Sequence, residues 1–411
     1  MDARRSRSKE GPTIATDPQP GPTTRAPLRI GVVGVGALAQ RGILPHLKQA
    51  DVSDRVVVGA VCDPVEERAR AVAERFGVPR VFASIDELVR SGEVDAVTIA
   101  SPIGLHFEHS RLALEAGLHV HVNKTLSTTV SEADTLIALA RDRDLRLVAS
   151  PGEILRPQVS RARELIASGA IGDVSWAICG GAFEAYHESE EPERVQSSGP
   201  PINPAWYFRK PGGGPMYDIT VYALHQLTSI LGPALRVTAL SGIRVPFREF
   251  QGERITTEAD DNTILLLDFG EGTFAVAFGT ASGAASEQFG ACVFHGSRGT
   301  IDGVLLNGEP FDFPGREETL HAPVTDWDAQ MCVLEHVVGA HRQIPEAHVF
   351  EDIMQLVRWV LEGEPSKVTA EHARHVVDII ESGYRSAASS STVSLTTTFG
   401  FADVTLPAVT T

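Results

Sequence analysis

The segment Leu28–Ala39, LRIGVVGVGALA, constrains the fold more than any other stretch of the chain. Ile30, Val32 and Val33 form a short apolar run that ends in glycine, as a buried parallel strand does. Gly34 and Gly36 open a turn, and Ala37, Leu38 and Ala39 lead it into a helix. The pattern G-x-G-x-x-A is the dinucleotide fingerprint with alanine at the third small position. Gly34 permits the tight turn, and Gly36 has no Cβ to hold a pyrophosphate away from the backbone. Ala39 lets helix and strand pack closely, and the helix N-terminus faces the phosphates. A second apolar run, residues 56–61, leads to Asp63, near the ~20-residue offset at which a carboxylate binds the adenosine ribose. Arg68 lies on the next helix and joins Gly34, Gly36, Ala37, Leu38, Ala39 and Asp63 as a cofactor-binding candidate.

Strands and helices alternate from residue 28 to 150. Strands are expected at 28–33, 56–61, 95–99, 118–122 and 146–149. Helices are expected at about 38–50, 65–76, 105–116 and 131–143, with a short one at 86–90. Such alternation predicts α/β architecture: a Rossmann, doubly wound parallel sheet covered on both faces. After a helix at about 157–168 the pattern changes. Strand-like runs follow one another at 174–182, 235–245, 262–269, 272–280, 289–295 and 299–302, with a hairpin turn at 269–272. Helices return at about 216–231, 328–341, 350–361 and 370–387. This predicts a C-terminal α+β domain with a mostly antiparallel sheet, spanning 151–398. Residues 1–27, polar and rich in Pro, Thr and Arg, are expected to be a disordered extension, and 399–411 a tail.

Charge narrows the partners. Lys and Arg number 36 against 53 Asp and Glu, a formal net charge of −17. Such a surface repels phosphate backbones and anionic lipid, which excludes general nucleic-acid and membrane binding. No run approaches the ~18 apolar residues of a membrane helix. Cys62, Cys179, Cys292 and Cys332 are scattered without a C-x-x-C pair and read as reduced thiols of a cytoplasmic protein.

Three segments carry the chemistry. Ala100–His106 (ASPIGLH) follows the fourth strand, and a loop at a strand's carboxyl end borders the ligand crevice of a doubly wound sheet. Ser101 and Pro102 are placed to contact ribose or nicotinamide, and His106 opens the next helix. His119–Leu126 (HVHVNKTL) ends the fifth strand and aims Lys124, beside Asn123, into the same crevice. A lysine there can hold a substrate hydroxyl and steady developing alkoxide charge. Gly212–His225 (GGGPMYDITVYALH) is a glycine loop followed by a helix. Asp218, Tyr222 and His225 stand at i, i+4 and i+7 and are expected on one helix face, a proton-handling stripe. Trp206, Tyr207 and Trp327 are candidate stacking faces. The acidic segment 184–204, with His187, Glu188, Glu190, Glu191 and Glu193, reads as a loop preceding the glycines and a possible lid. Its spacing matches no defined metal site, so no metal is expected.

Together the segments GVGALAQRGILPHL, SPIGLH, AGLHVHVNKTLS, GGGPMYDITVYALHQL and EHARHVVDIIESGYRSA resemble the Gfo/Idh/MocA oxidoreductases over about residues 28–395. The resemblance implies a Rossmann domain and a C-terminal α/β domain whose open sheet often forms a homodimer or homotetramer contact. It also implies oxidation or reduction of a secondary alcohol of a sugar, glycoside or cyclitol with NAD or NADP. Two departures stand out. The family's Glu-Lys-Pro is Asn123-Lys124-Thr125 here. Its Asp-x-Gly-x-His-x-x-Asp helix reads Asp218, Thr220, Tyr222, His225, as in a subgroup with GGGP…D…Y. Lys124 and Asp218 survive as catalytic candidates, and either Tyr222 or His225 is left as the acid/base. Asp63, with Pro64 and Val65 after it rather than an arginine, favours NAD over NADP. A redox-neutral enzyme that cleaves or isomerises glycosides with retained NAD, and a dinucleotide-binding protein without catalysis, are the alternatives.

Overall fold

The computed structural model describes residues 26–182, 191–283, 292–317 and 333–401. Strands β1 (Leu28–Val33), β2 (Val56–Cys62), β3 (Arg80–Phe82), β4 (Ala96–Ile99), β5 (His119–Val122) and β6 (Leu147–Ala149) form one sheet in the order 3-2-1-4-5-6. Every pairing in it is parallel. This is the doubly wound order, and its chain reversal between β1 and β4 opens a crevice at the strands' carboxyl ends. β3 was not expected, since three half-exposed residues leave no periodic signal.

The apolar runs form strands because both faces of the sheet are covered. On one face Ile30 and Val32 pack with Ala39, Leu44 and Leu47. On the other, Val33, Val97 and Ile99 pack with Ala113, Leu114 and Leu136. The first cluster holds a surprise. Phe350, Ile353, Met354 and Val357 of the helix Ala347–Glu362 belong to it. That helix was expected within the C-terminal domain; it packs on the Rossmann sheet instead. Fully burying each such side chain stabilises the docking by about 1.5–3 kcal/mol.

Among the described residues the second sheet has nine strands, in the order β16-β15-β14-β13-β7-β12-β11-β8-β17. They are β7 (Val174–Ala182), β8 (Arg236–Gly242), β11 (Asn262–Gly270), β12 (Thr273–Thr280), β13 (Val293–Gly296), β14 (Thr300–Asp302), β15 (Leu305–Leu306), β16 (Glu309–Pro310) and β17 (Val393–Ser394). β9 (Phe247–Phe250) and β10 (Glu253–Thr256) form a separate hairpin. All ladders in the large sheet are antiparallel except β7 with β12. Its alternating residues face two ways. Val237, Ala239, Leu265, Leu267, Ala275 and Ala277 are buried against the helices Val221–Leu231 and Ala370–Ser389. Leu240, Ile264, Leu266, Phe274 and Trp176 are exposed on the opposite face.

The segment expected as a helix from 328 lies partly outside the described residues. Within them, Gly339–Gln343 is a single 3-10 turn, and the helix starts at Ala347 after Glu346 adopts φ +64°. Cys62, Cys179 and Cys292 are buried, unpaired thiols. No described helix is long and apolar enough to cross a membrane.

Candidate active site

The crevice at the β1/β4 switch is a cavity of about 580 Å³, within the usual size of a small-molecule site. Gly34, at φ +86°, turns directly beneath the β4 loop: a Cβ there would lie 2.7 Å from the Ser101 nitrogen. A side chain at this position would push the two strand ends apart. Gly36 faces open space, and with Ala37 and Leu38 it lines the cavity. Ala39 does not; it is fully buried under the turn, where small size lets helix and strand approach.

Asp63 lines the cavity but is already occupied by the protein. It accepts hydrogen bonds from Val35 N (3.1 Å), Val65 N (3.0 Å) and Arg68 Nη1 (3.2 Å). The carboxylate therefore ties the glycine turn to β2. The expectation that no arginine adjoins Asp63 holds along the chain and fails in space, because one helical turn brings Arg68 back onto it.

Ser101 and Pro102 line the cavity, and the Ser101 hydroxyl is 3.0 Å from His109 Nδ1. His106 does not line it. The ring is buried, with Nδ1 2.7 Å from Thr125 O and Nε2 2.8 Å from Ser101 O. Burial lowers its pKa to about 4, and a neutral ring donates to only one of those carbonyls. His106 thus clamps the β4 and β5 loops together from behind, a correction to its expected cofactor contact.

Lys124 reaches from the end of β5 to the helix of the other domain. Its Nζ lies 2.5 Å from Asp218 Oδ1 and also donates to the Asp218 carbonyl oxygen. It stands 5.3 Å from the centroid of the Tyr222 ring, a cation–π distance. Asp218 and Tyr222 both line the cavity; His225 does not. The expected three-residue stripe splits because Met216–Thr220 is wound as a π-turn before the α-helix begins at Val221. The wider turn breaks the 3.6-residue register on which the stripe rested. His225 packs against His372, ring centroids 4.6 Å apart, and burial lowers its pKa to about 3. Its expected catalytic role is corrected to packing in the second domain.

In its place stand two residues that motif reading missed. Glu346 and His348, just before and within the first turn of the helix Ala347–Glu362, line the cavity beside Tyr222. The Tyr222 hydroxyl is 3.0 Å from His348 Nε2. Glu346 Oε2 lies 3.7 Å from that same nitrogen, and Glu346 Oε1 accepts from Arg41 Nε at 2.8 Å. Burial by itself would raise the Glu346 carboxyl; Arg41 and His348 more than offset it and hold it below its usual range. Gly42 makes the docking possible, because a Cβ there would meet Glu346 Cβ at 2.5 Å. The only available signal was that glycine in QRGILPHL, which is weak without its partner 304 residues on.

Trp206 and Tyr207, stacked at 3.8 Å, form the far wall, and Arg194 Nη2 donates to the Tyr207 hydroxyl at 2.9 Å. Ser198 N donates to Gln40 at 2.7 Å, so the end of the acidic segment reaches the glycine turn. His187, Glu188, Glu190 and Trp327, and the side chains of Glu191 and Glu193, lie outside the described residues. Glu335, His336 and Glu351 bring possible metal-ligand atoms within 4.8 Å of one another. Glu351 is already engaged by His336 and Gln355, and the trio is not part of the cavity lining.

The cavity fits a nicotinamide dinucleotide. Asn123 Oδ1 is buried in its wall with no partner among the described residues, and such an orphan acceptor calls for a ligand donor.

Comparison with known proteins agrees in family. A model described as "Oxidoreductase family, NAD-binding Rossmann fold" (GFO_IDH_MocA) matches residues 28–150, and a GFO/IDH/MocA C-terminal domain model matches 159–302. A dTDP-3,4-didehydro-2,6-dideoxy-α-D-glucose 3-reductase of Streptomyces violaceoruber is 34% identical over 215 residues, 52% of this chain and 57% of that protein. The match thus spans little over half of that relative. The protein of the same name from Actinomadura kijaniata is 27% identical over 373 residues, 89% of this chain and 98% of that one. In fold, an oxidoreductase domain protein from Kribbella flavida aligns with TM-score 0.69 at 22% identity, covering 90% of this chain and all of that one.

Proposed function

This chain belongs to the Gfo/Idh/MocA oxidoreductase family, and from that premise we propose that it moves a hydride between a secondary alcohol of a sugar, glycoside or cyclitol and a nicotinamide dinucleotide. The observation that carries the reading is the Lys124–Asp218 pair, 2.5 Å apart, beside Tyr222 in the lining of the crevice. Two relatives with matches in this chain, from Streptomyces violaceoruber and Actinomadura kijaniata, are named as reductases of a keto-sugar.

Gly34, Gly36, Ala37 and Leu38 would hold the pyrophosphate at the helix start, and Asn123 the nicotinamide end. The bound dinucleotide supplies the hydride acceptor. Lys124 orients the substrate oxygen and steadies its charge as the carbonyl forms. Asp218 holds that ammonium in place and presents its remaining lone pairs to neighbouring hydroxyls. Tyr222 takes the carbinol proton. Trp206 and Tyr207 offer a stacking face to the apolar side of the ring.

Asp63 supports NAD as the preferred dinucleotide, since a buried carboxylate repels a 2′-phosphate. Arg68 partly offsets that repulsion, so the preference is graded rather than absolute. The exposed row Leu240, Ile264, Leu266, Phe274 and Trp176 supports a homo-oligomer contact through the open sheet. The buried thiols support a reducing, cytoplasmic location.

The test is a screen of NAD and NADP reduction across aldoses, alkyl glycosides and inositols, with parallel analysis of sugar products. Reduced dinucleotide in step with a ketone supports the reading. Cleaved or isomerised glycoside without net reduced dinucleotide would replace it with redox-neutral chemistry. No product from any member, with dinucleotide still bound, would replace it with a dinucleotide sensor.

A further inference from the structure

We propose that His348 is the proton acceptor of this site, reached through the hydroxyl of Tyr222, with the Glu346 carboxylate beside the imidazolium that results. The inference rests on the oxidoreductase reading above and adds the route by which the proton leaves.

Tyr222 alone is poorly suited to be a base. Its phenol is buried, and burial together with the Glu346, Asp218 and Glu153 carboxylates disfavours the phenolate and pushes the group well above its usual range. A phenol that passes on its own proton as it takes another never carries that charge. The geometry provides the exit: Tyr222 Oη lies 3.0 Å from His348 Nε2. An O–H can donate there only if Nε2 is bare, which places the ring proton on Nδ1. Nδ1 is buried and has no partner among the described residues.

The charged groups around His348 come from four elements. Glu346 precedes it on its own turn, Arg41 comes from the helix after β1, Lys124 from the end of β5, and Arg156 from the start of the helix Pro157–Ala167. Burial, then the three cations, lowers the imidazole to about 4, against the pull of Glu346. The ring is therefore neutral above that pH.

In alcohol oxidation the carbinol O–H bond breaks as an O–H bond forms on Tyr222 Oη. The phenol's own O–H bond breaks as an N–H bond forms at His348 Nε2. A bound nicotinamide dinucleotide would take up the carbinol C–H electron pair as hydride, and C–O becomes C=O. One proton ends on the imidazole, which becomes imidazolium beside the Glu346 carboxylate. His348 acts through Tyr222 and is a positioning residue.

The first test needs neither substrate nor dinucleotide. In the full chain labelled with 15N-histidine, near neutral pH, the resonance that disappears in His348→Gln identifies His348. It is expected as the Nδ1–H tautomer with a bare Nε2, and Tyr222→Phe shifts that Nε2 signal. An Nε2–H tautomer, or an Nε2 signal indifferent to Tyr222→Phe, overturns the inference while leaving the oxidoreductase reading intact. Should His348→Gln fold poorly, the single bare-Nε2 signal that moves in Tyr222→Phe makes the same assignment, and its absence overturns it. With a sugar turned over in the screen, His348→Gln is expected to lower kcat about 100-fold and leave KM within about threefold. An unchanged kcat overturns the inference.

Discussion

Two walls of one cavity reach it by different routes. The first is built from loops that directly follow strands: the glycine turn after β1, Ser101 after β4 and Lys124 after β5. The second is the turn at Glu346–His348, which the chain delivers only after all the described strands of the large sheet except its edge strand β17. The first wall is local in sequence, so each residue sits within a few positions of the strand that aims it. The second depends on the helix Ala347–Glu362 docking through Phe350, Ile353 and Met354 on the Rossmann face. Chemistry placed by a strand end is legible in a motif; chemistry placed by tertiary docking is not.

Acid should break both walls at once, and this is the largest effect expected. Buried histidines hold each of them: in the first His106, and His121 between the Thr98 and Ser150 hydroxyls; in the second His348, and His46 against His341 and the Pro345 carbonyl. All four are lowered by burial to about 3 or 4. The unfolded chain binds those protons near pH 6.5 and the folded chain does not. Stability is therefore full above that value and falls as pH drops toward 4. A thermal melt series over this range should show Tm falling steadily. Asp352, raised by burial to about 8, runs the other way and gives up stability as pH rises from its ordinary range toward that value. The two windows overlap, and four histidines outweigh one carboxyl, so the optimum should lie near pH 6.5, where the histidine gain is complete.

Lys124→Ala strikes the first wall alone. Loss of the ammonium should cost about 10²–10³ in kcat, with affinity for reduced dinucleotide, followed by fluorescence titration, nearly unchanged. Gly42→Ala strikes the joint between the walls. Its methyl has to displace Glu346, and misplacement of the return turn should cost about 10-fold or more in kcat with the Rossmann sheet intact by circular dichroism. If Gly42→Ala turned over normally, the second wall would be scaffolding only. Asp63→Asn should raise the NADP-to-NAD ratio of kcat/KM by about tenfold, since Arg68 then meets the 2′-phosphate without the opposing charge. His225→Leu should be the quietest change. An unpartnered imidazole nitrogen is replaced by an apolar group, stability moves by about 1 kcal/mol or less, and kcat by less than about twofold.

Much of the first wall was legible because its residues obey local rules. Gly34, Gly36, Asp63 and Lys124 line the cavity, as does Asp218 opposite them. The parallel and antiparallel halves followed from alternation and from consecutive strands. The misreadings share a cause. His225 assumed an unbroken 3.6-residue period, and a π-turn at Met216–Thr220 broke it. His106 was placed by its neighbours in sequence, while its ring turned inward to two carbonyls. Arg68 and Asp63 are five residues apart and meet across a helical turn. Glu346 and His348 lack any local pattern: a charged residue at φ +64° before a helix is visible only once the helix is docked.

The most direct measurement is the fate of one hydrogen. A sugar alcohol that turns over in the screen, deuterated at its reacting carbinol carbon, is incubated with the enzyme and NAD, and both products are analysed by mass spectrometry. Hydride transfer at the Lys124–Asp218–Tyr222 cluster predicts one deuterium on each reduced dinucleotide, matched by one oxidised sugar. Deuterium kept on the sugar product, or lost to water, would contradict it.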